Sequence, residues 1–430
     1  MKKILLSVAM LLCCVVVMAQ PRLGFIKVEV TPDHADWLYE CGEKPVFDIS
    51  VRTASNAPIE GDIYFEVSED MMPPLAKGNI TLKKGKATVK GYTMTKPGFM
   101  HCRVWYKSNG KTYEECAAAG FSVEKIQPKT VLPTDFKEFW AAALKANEKI
   151  EMLPQMTLGP ERCTSKVDVY LARFQSFKNG YYIYGTLCVP KQHNGNCPAL
   201  LIVPGAGCHA RDGYVKEAEQ GVVTLEIGIH GIPTTLYDHP EVYSGAKYGG
   251  LWNCYKNGFD NRETCFYRRV FVGCSRAVDF LAQLDFVDEN NIAVTGWSQG
   301  GALTIVTSYL NPKVKYAASV YPAMCDLTGI LYNQGDSWPH LFRDKKFATK
   351  ERIETCGYYD VVNFARHLTL PIWFSYGYND FVVCSTSIQA CYNVVTAPKE
   401  VMLVPQSRHY TYTEQREARS KWLLEKLLKK

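Results

Sequence analysis

The sequence predicts a fold in two parts: a small all-β part, then a larger α/β part on a mostly parallel eight-stranded sheet. Three observations predict it. Residues 23–126 carry short alternating runs separated by turn signals, with no helical stretch. Beyond residue 127, short apolar runs alternate with segments of helical spacing. The 430 residues exceed one ordinary domain and suit two of about 100–200 residues each.

In the first part, residues 25–30, 46–51 and 63–67 alternate apolar and polar side chains. A period of two marks a strand with one buried face. Lys84-Gly85 and Asn109-Gly110 separate further runs, and glycine there reaches φ > 0 without a steric penalty, as hairpin turns require. About seven strands in roughly 100 residues is the density of an immunoglobulin-like sandwich. No Cys…Trp…Cys pattern accompanies them, so an antibody-type domain is not expected. The predicted divisions are 1–19, 20–126 and 127–430, with a linker over 125–133.

After the linker, Thr134-Asp135 is placed to cap a helix carrying Phe136, Phe139, Trp140 and Leu144. Strands are predicted at 167–174, 181–189, 199–203, 222–229, 292–295, 316–320, 371–376 and 401–404. The first two pair as a hairpin over Asn179-Gly180. The later ones are short and apolar, as strands buried on both faces of a parallel sheet are. Helical patterns at 268–284, 302–310, 385–395 and 414–428 lie between or after them. Eight strands with flanking helices is the plan of an α/β-hydrolase. Residues 230–262 are rich in Tyr, Gly and Asn and show no convincing core helix. The aromatic residues there, Tyr248 and Trp252 among them, either cover a site and stack on sugar rings or form a small core of their own.

Residues 1–19 have the pattern of a signal peptide. Lys2 and Lys3 precede an apolar run over 4–17, and Val17-Met18-Ala19 fits a cleavage site before Gln20. The run is shorter than the ~20 residues a membrane span needs, so no stable span is expected and the protein is expected in the periplasm or outside the cell. The formal net charge of +6 is small beside 49 basic and 43 acidic side chains, and no long basic run occurs, so nucleic acid is not expected as a partner. Sixteen cysteines are scattered without a Cys-x-x-Cys pair or metal-like grouping. Most are expected to be buried thiols acting as small hydrophobes.

The strongest local signal is Gly296-Trp297-Ser298-Gln299-Gly300-Gly301, between a predicted strand and a predicted helix. That context suits a nucleophile elbow: glycines at −2 and +2 let two backbones pass, and the serine Oγ is presented above the sheet. Serine is a weak nucleophile and needs a base, which in turn needs an orienting acid. Asp380 and His409 each lie just past the carboxyl end of a predicted strand, where open α/β sheets build their sites. Of the nine histidines only His409 follows Asp380, as the order Ser, acid, His requires. Asp326, after the strand over 316–320, is the rival acid and is expected instead to cap the turn that follows it. His209 and His230 follow strands and are expected at the cleft rim. The oxyanion needs two backbone N–H donors, for which Gln299 and Ala206, in Pro204-Gly205-Ala206-Gly207, are the candidates. Trp297, Tyr248 and Trp252 are candidates for substrate contact.

Tyr267-Arg-Arg-Val270, Arg276-Ala-Val-Asp-Phe280, Val287-Asp288 and Ser298-Gln-Gly-Gly301 resemble the acetyl xylan esterase and cephalosporin C deacetylase family, carbohydrate esterase family seven. Pro133-Thr-Asp-Phe136 with Phe139-Trp140 also fits, and the resemblance runs from about Lys129 to Lys430. It implies hydrolysis of acetyl esters on small carbohydrates without metal or other cofactor, with the triad on Ser298, Asp380 and His409. The family often forms hexameric rings, which raises a homo-oligomer as one outcome. One departure stands out: the family commonly has His-Gly-Tyr in the oxyanion loop, and here Pro204-Gly205-Ala206 takes its place. Two rival functions are a serine peptidase of the same superfamily and a non-catalytic glycan-binding protein. Turnover of p-nitrophenyl acetate separates enzyme from binder, and peptide against acetyl-sugar turnover separates the two enzymes.

Overall fold

The computed structural model describes residues 25–251 and 253–429, so the expected signal peptide at 1–19 and Trp252 lie outside the described residues. The first eight strands are β1 (Ile26–Pro32), β2 (Leu38–Tyr39), β3 (Val46–Thr53), β4 (Gly61–Glu69), β5 (Pro74–Leu82), β6 (Lys86–Lys90), β7 (Gly98–Ser108) and β8 (Lys111–Phe121). They form two sheets, ordered β1-β3-β6 and β2-β8-β7-β4-β5. Alternate positions turn inward: Val28, Val30, Phe47, Ile49 and Val51 meet Ile63, Val67, Cys102, Val104 and Phe121 in one core. The expected hairpin turns form, with positive φ at Lys84 and Gly85 and again at Asn109 and Gly110. The strand beyond the expected seven is the two-residue β2, too short to show a period.

The second part is one mixed sheet. Its strands are β9 (Gln155–Leu158), β10 (Val167–Gln175), β11 (Tyr182–Pro190), β12 (Cys197–Ile202), β13 (Val223–Gly228), β14 (Val287–Trp297), β15 (Val314–Val320), β16 (Ile372–Tyr376) and β17 (Lys399–Leu403). Their order is β17-β16-β15-β14-β12-β13-β11-β10-β9. Strands β12 to β17 are mutually parallel. Strands β11, β10 and β9 add antiparallel pairs at one side. The sheet therefore has nine strands where the sequence pattern predicts eight. The additional one, β9, is exposed at all four positions. It exists because β10 offers a free edge, and an edge strand needs no apolar run. By contrast β13 and β16 are buried at every position, which is why they show as unbroken apolar runs.

The main helices are α1 (Phe136–Glu148), α2 (Pro240–Tyr248), α3 (Phe266–Ala282), α4 (Gln299–Leu310), α5 (Lys350–Tyr359), α6 (Ser385–Val394) and α7 (Thr413–Leu428). Helix α1 buries Phe136, Phe139 and Trp140 as its spacing predicts, together with Ala143, while Leu144 is only half-buried. Each aromatic ring so buried contributes roughly 1.5–3 kcal/mol. Its N-cap carboxylate makes no capping bond. Asp135 pairs instead with Arg262 at 2.7 Å. Helix α2 falls in the aromatic segment where no core helix is predicted, and its described side chains are mostly exposed. All fourteen described cysteines are free thiols, and eleven are buried.

Asp326 does not act as a simple turn cap. Its carboxylate accepts the backbone N–H of Lys129 (2.6 Å) and Thr130 (2.9 Å), while the Thr130 hydroxyl donates to Asp360 at 2.7 Å. Two buried carboxylates thus staple the linker to the sheet. Burial raises both carboxyl pKa values, and the neighbouring Asp326 charge lifts Asp360 further, to about 7. A carboxyl whose folded pKa exceeds its unfolded value holds a proton that the unfolded chain releases. Its contribution to stability therefore falls as pH rises from about 4 to about 7. The thermal midpoint is expected to drop across that window, and Asp326→Asn is expected to move the drop to lower pH. Thermal unfolding of both proteins across the window measures this; superimposable profiles would contradict it.

Candidate active site

Strand β14 passes into α4 through Ser298, which takes φ 58° and ψ −123° at the helix N-cap. Two glycines make that turn possible. A Cβ on Gly296 would lie 2.6 Å from the Gly300 backbone, and one on Gly300 would lie 2.5 Å from the Val203 carbonyl oxygen. Backbone groups cannot yield at such distances, so only glycine serves at either position. The Ser298 N–H donates to the Val320 carbonyl, and the Ser298 carbonyl accepts from Ala323. The strained residue is therefore held from both sides by the end of β15.

Ser298 Oγ lies 3.0 Å from His409 Nε2, and His409 Nδ1 lies 2.7 Å from Asp380 Oδ2. Asp380 is fully buried, and its other oxygen accepts the N–H groups of Val382 (2.8 Å) and Val383 (2.9 Å). The three residues come from the ends of β14, β16 and β17, neighbouring regions of one sheet edge. The Tyr321 ring lies against the His409 imidazole, with centroids 4.7 Å apart. No local motif flags Tyr321, because it meets His409 only when β15 and β17 lie in the same sheet.

Gln299 opens α4, so its N–H has no acceptor within the helix. Its side chain does a second job. The amide nitrogen donates to the carbonyls of Pro204 and Gly205, both at 3.3 Å, and the amide oxygen accepts from the Tyr267 hydroxyl at 3.0 Å. The glycine loop bearing Ala206 is thereby tied to the elbow, and Tyr267 of α3 completes the tie. The neighbouring Arg268 and Arg269 have packing roles: Arg268 pairs with Glu263, and the Arg269 guanidinium lies 4.5 Å from the Phe266 ring.

A cavity of about 210 Å³ opens beside Ala206 and Gln299, walled by His230, Tyr255, Tyr267 and Trp338. His230 thus borders the cleft as its position after β13 predicts. Burial, then the charges of Arg211 and Arg269, depress its pKa to about 4, so its ring is uncharged at neutral pH. Trp297 is half-buried with its ring beneath the Arg419 guanidinium at 5.6 Å, and it is not among the residues walling this cavity. Tyr248 ends α2, with its backbone alone described, and Trp252 lies outside the described residues. Among the described residues no group of three or more His, Cys, Asp or Glu is placed to hold a metal ion. No described helix is long and apolar enough to cross a membrane.

Comparison with known proteins identifies the family. The acetyl xylan esterase family model matches residues 121–426. The acetyl esterase Axe7A of Xylanibacter ruminicola is 36% identical over 397 residues, which cover 91% of this chain and 89% of that protein. Among solved structures, an acetyl xylan esterase from Paenibacillus sp. R4 superposes with a TM-score of 0.62 at 26% identity, covering 71% of this chain and 98% of its own. Acetyl xylan esterase 1 from Thermoanaerobacterium sp. JW/SL YS485 shares the fold with a TM-score of 0.61 at 20% identity, covering 70% of this chain and 97% of its own. The chain belongs to the acetyl xylan esterase family and is a carboxylic ester hydrolase.

Proposed function

We propose that this chain removes acetyl groups from carbohydrates through Ser298, His409 and Asp380. The observation that carries this reading is the continuous hydrogen-bonded series from Ser298 Oγ through the imidazole to the Asp380 carboxylate. Ser298 attacks the acyl carbon while His409 Nε2 takes its proton. Asp380 holds the imidazole in the tautomer with hydrogen on Nδ1 and stabilises the imidazolium that forms. The N–H groups of Gln299 and Ala206 receive the oxyanion. His409 gives its proton to the departing sugar oxygen, which leaves as a hydroxyl, and then activates the water that releases acetate from the acyl-enzyme. An acetate-release assay over acetylated oligosaccharides tests the substrate class; no release from any of them, with p-nitrophenyl acetate still turned over, would point to another ester.

The same reading includes an immunoglobulin-like sandwich over 20–126, a catalytic domain over 127–430, and export to the periplasm or medium after removal of 1–19. The two packed sheets and the charged, apolar and small-residue order of the first residues support it.

The cavity beside Ala206 sets an expectation for acyl size. The methyl side chain of Ala206 leaves the space next to both oxyanion donors open, and about 210 Å³ is available there. Propionyl and butyryl esters are expected to be accepted along with acetyl. Each added methylene in an apolar pocket is worth about 1–3 kcal/mol, so selectivity should be graded and not absolute. Ala206→Tyr is expected to shift preference toward acetyl while keeping the backbone donor. The check is kcat/KM for p-nitrophenyl acetate, propionate and butyrate. Strong rejection of butyrate by both proteins would remove Ala206 from the acyl pocket.

A further inference from the structure

The loop that carries Asp380 spans 377–384, between β16 and α6. Its outer side rests on the N-terminal β unit. His101 of β7 is fully buried, and its Nε2 lies 2.7 Å from the Tyr378 carbonyl oxygen. A carbonyl only accepts, so this nitrogen carries the hydrogen. The other ring nitrogen faces Asp70 at 3.6 Å. Asp70 in turn accepts both the N–H and the hydroxyl of Thr386, each at 2.8 Å, at the start of α6. Asn379 donates to the Cys116 carbonyl of β8 at 3.0 Å. The Phe381 ring packs tilted against His101, with centroids 4.8 Å apart, and lies 4.8 Å from the Arg103 guanidinium. Residues 378, 379, 381 and 386 are thus all seated on the sandwich, and Asp380 stands in the middle of them, turned the other way toward His409.

The histidine loop is held by the same unit. Arg408 Nη2 lies 2.8 Å from Glu115 Oε1. One β unit therefore grips the residues beside both the acid and the base. The family match begins at residue 121, so His101, Arg103, Glu115 and Cys116 all precede it. The matched region of the Paenibacillus structure fills 98% of that chain, but only 71% of this one.

We propose that the N-terminal β unit sets the triad geometry, with His101 and Glu115 as positioning residues that act through Tyr378 and Arg408. This rests on the triad proposed above. A reacting group displaced by about 1 Å can lose about 10²-fold in rate, and such groups stay in place only when their supporting shell is fixed. Here that shell is supplied from about 280 residues away in sequence, at a separation of 277 for the His101 contact. None of the clasp residues lines the acyl cavity, whose walls come from the oxyanion loop, the start of α4, α3, the aromatic segment and Trp338. A fault in the clasp should therefore lower kcat and leave KM nearly unchanged.

Two sets of variants test this with p-nitrophenyl acetate. His101→Phe keeps a ring but removes the donor, and kcat is expected to fall on the order of tenfold or more with KM within about twofold. His101→Gln restores an N–H donor and is expected to recover most of the loss. Wild-type kcat in His101→Phe, equal damage in both variants, or a parallel change in KM would overturn the proposal. Because His101 is buried, the part-exposed ion pair supplies a second test that does not depend on refilling a core. Glu115→Ala and Arg408→Ala are each expected to lower kcat several-fold, and the double variant to be no worse than either single, since all three lose the same contact. Full activity, or losses that multiply, would overturn it. Ser298→Ala separates the two claims. If it is inactive while every clasp variant is fully active, the triad stands and the positioning role fails. If it stays active, the triad itself is wrong.

Discussion

Ser298→Ala is expected to abolish ester hydrolysis, with a loss on the order of 10⁶ in kcat and little change in folding. The size follows from the role: without Oγ no acyl-enzyme forms, and the oxyanion donors and cavity remain as a weak template for water. Folding should survive because the constraints at the elbow are on the backbone. Ser298 takes its strained φ of 58° while bonded through its own N–H and carbonyl to Val320 and Ala323, and alanine keeps both groups. The flanking contacts depend on Gly296 and Gly300, which are untouched. The check is p-nitrophenyl acetate turnover together with thermal unfolding. A variant that keeps a tenth of the wild-type rate would show that another nucleophile operates.

Asp380→Asn is expected to cost on the order of 10⁴ in kcat, with smaller effects on KM. The carboxylate accepts the Nδ1 hydrogen of His409 at 2.7 Å through one oxygen and the N–H groups of Val382 and Val383 through the other. An asparagine keeps one oxygen, and the two backbone donors claim it. Its NH₂ group then faces Nδ1, which can only accept from it, so the ring hydrogen moves to Nε2. In that tautomer Nε2 cannot take the proton of Ser298. Asp326→Asn provides the contrast. Its partners are Lys129, Thr130 and Gln334, so its effect should fall on stability and its pH dependence, with kcat close to wild type well below the unfolding temperature. Kinetics of both variants decide the matter. A large kcat loss in Asp326→Asn with a small one in Asp380→Asn would move the acid to the end of β15.

The elbow was legible because everything it needs is contiguous. A strand, two glycines, a serine and a helix follow one another within about twenty residues, and each has a local steric reason. The buried parallel strands were legible for a related reason. A strand covered on both faces must be apolar throughout, so β13 and β16 declare themselves without knowledge of their neighbours. His409 and Asp380 needed one step more, chain order combined with the expectation that sites form at strand ends. The edge strand β9 gave no such signal, since its four residues are exposed and its pairing depends on β10 alone. Asp326 was legible as an acid after a strand but not as the acceptor for a linker almost 200 residues earlier.

The amino-acid sequence by itself marked the β-rich first part and the α/β second part, the strand–serine–helix turn at Ser298 and the proposed base, because these follow from spacing, steric need and order along the chain. The tertiary structure alone decided what supports them. Tyr321 against His409, Tyr267 on Gln299 and His101 on Tyr378 join residues separated by 88, 32 and 277 positions. Tyr267 lies in a motif of the family resemblance, but nothing in that motif names Gln299 as its partner, and Tyr321 and His101 carry no local signature, since a tyrosine or a buried histidine suits many core positions equally well. A contact of that kind exists only once the backbone has brought two distant elements together, and its chemistry is set by which polar atom each leaves unpaired there.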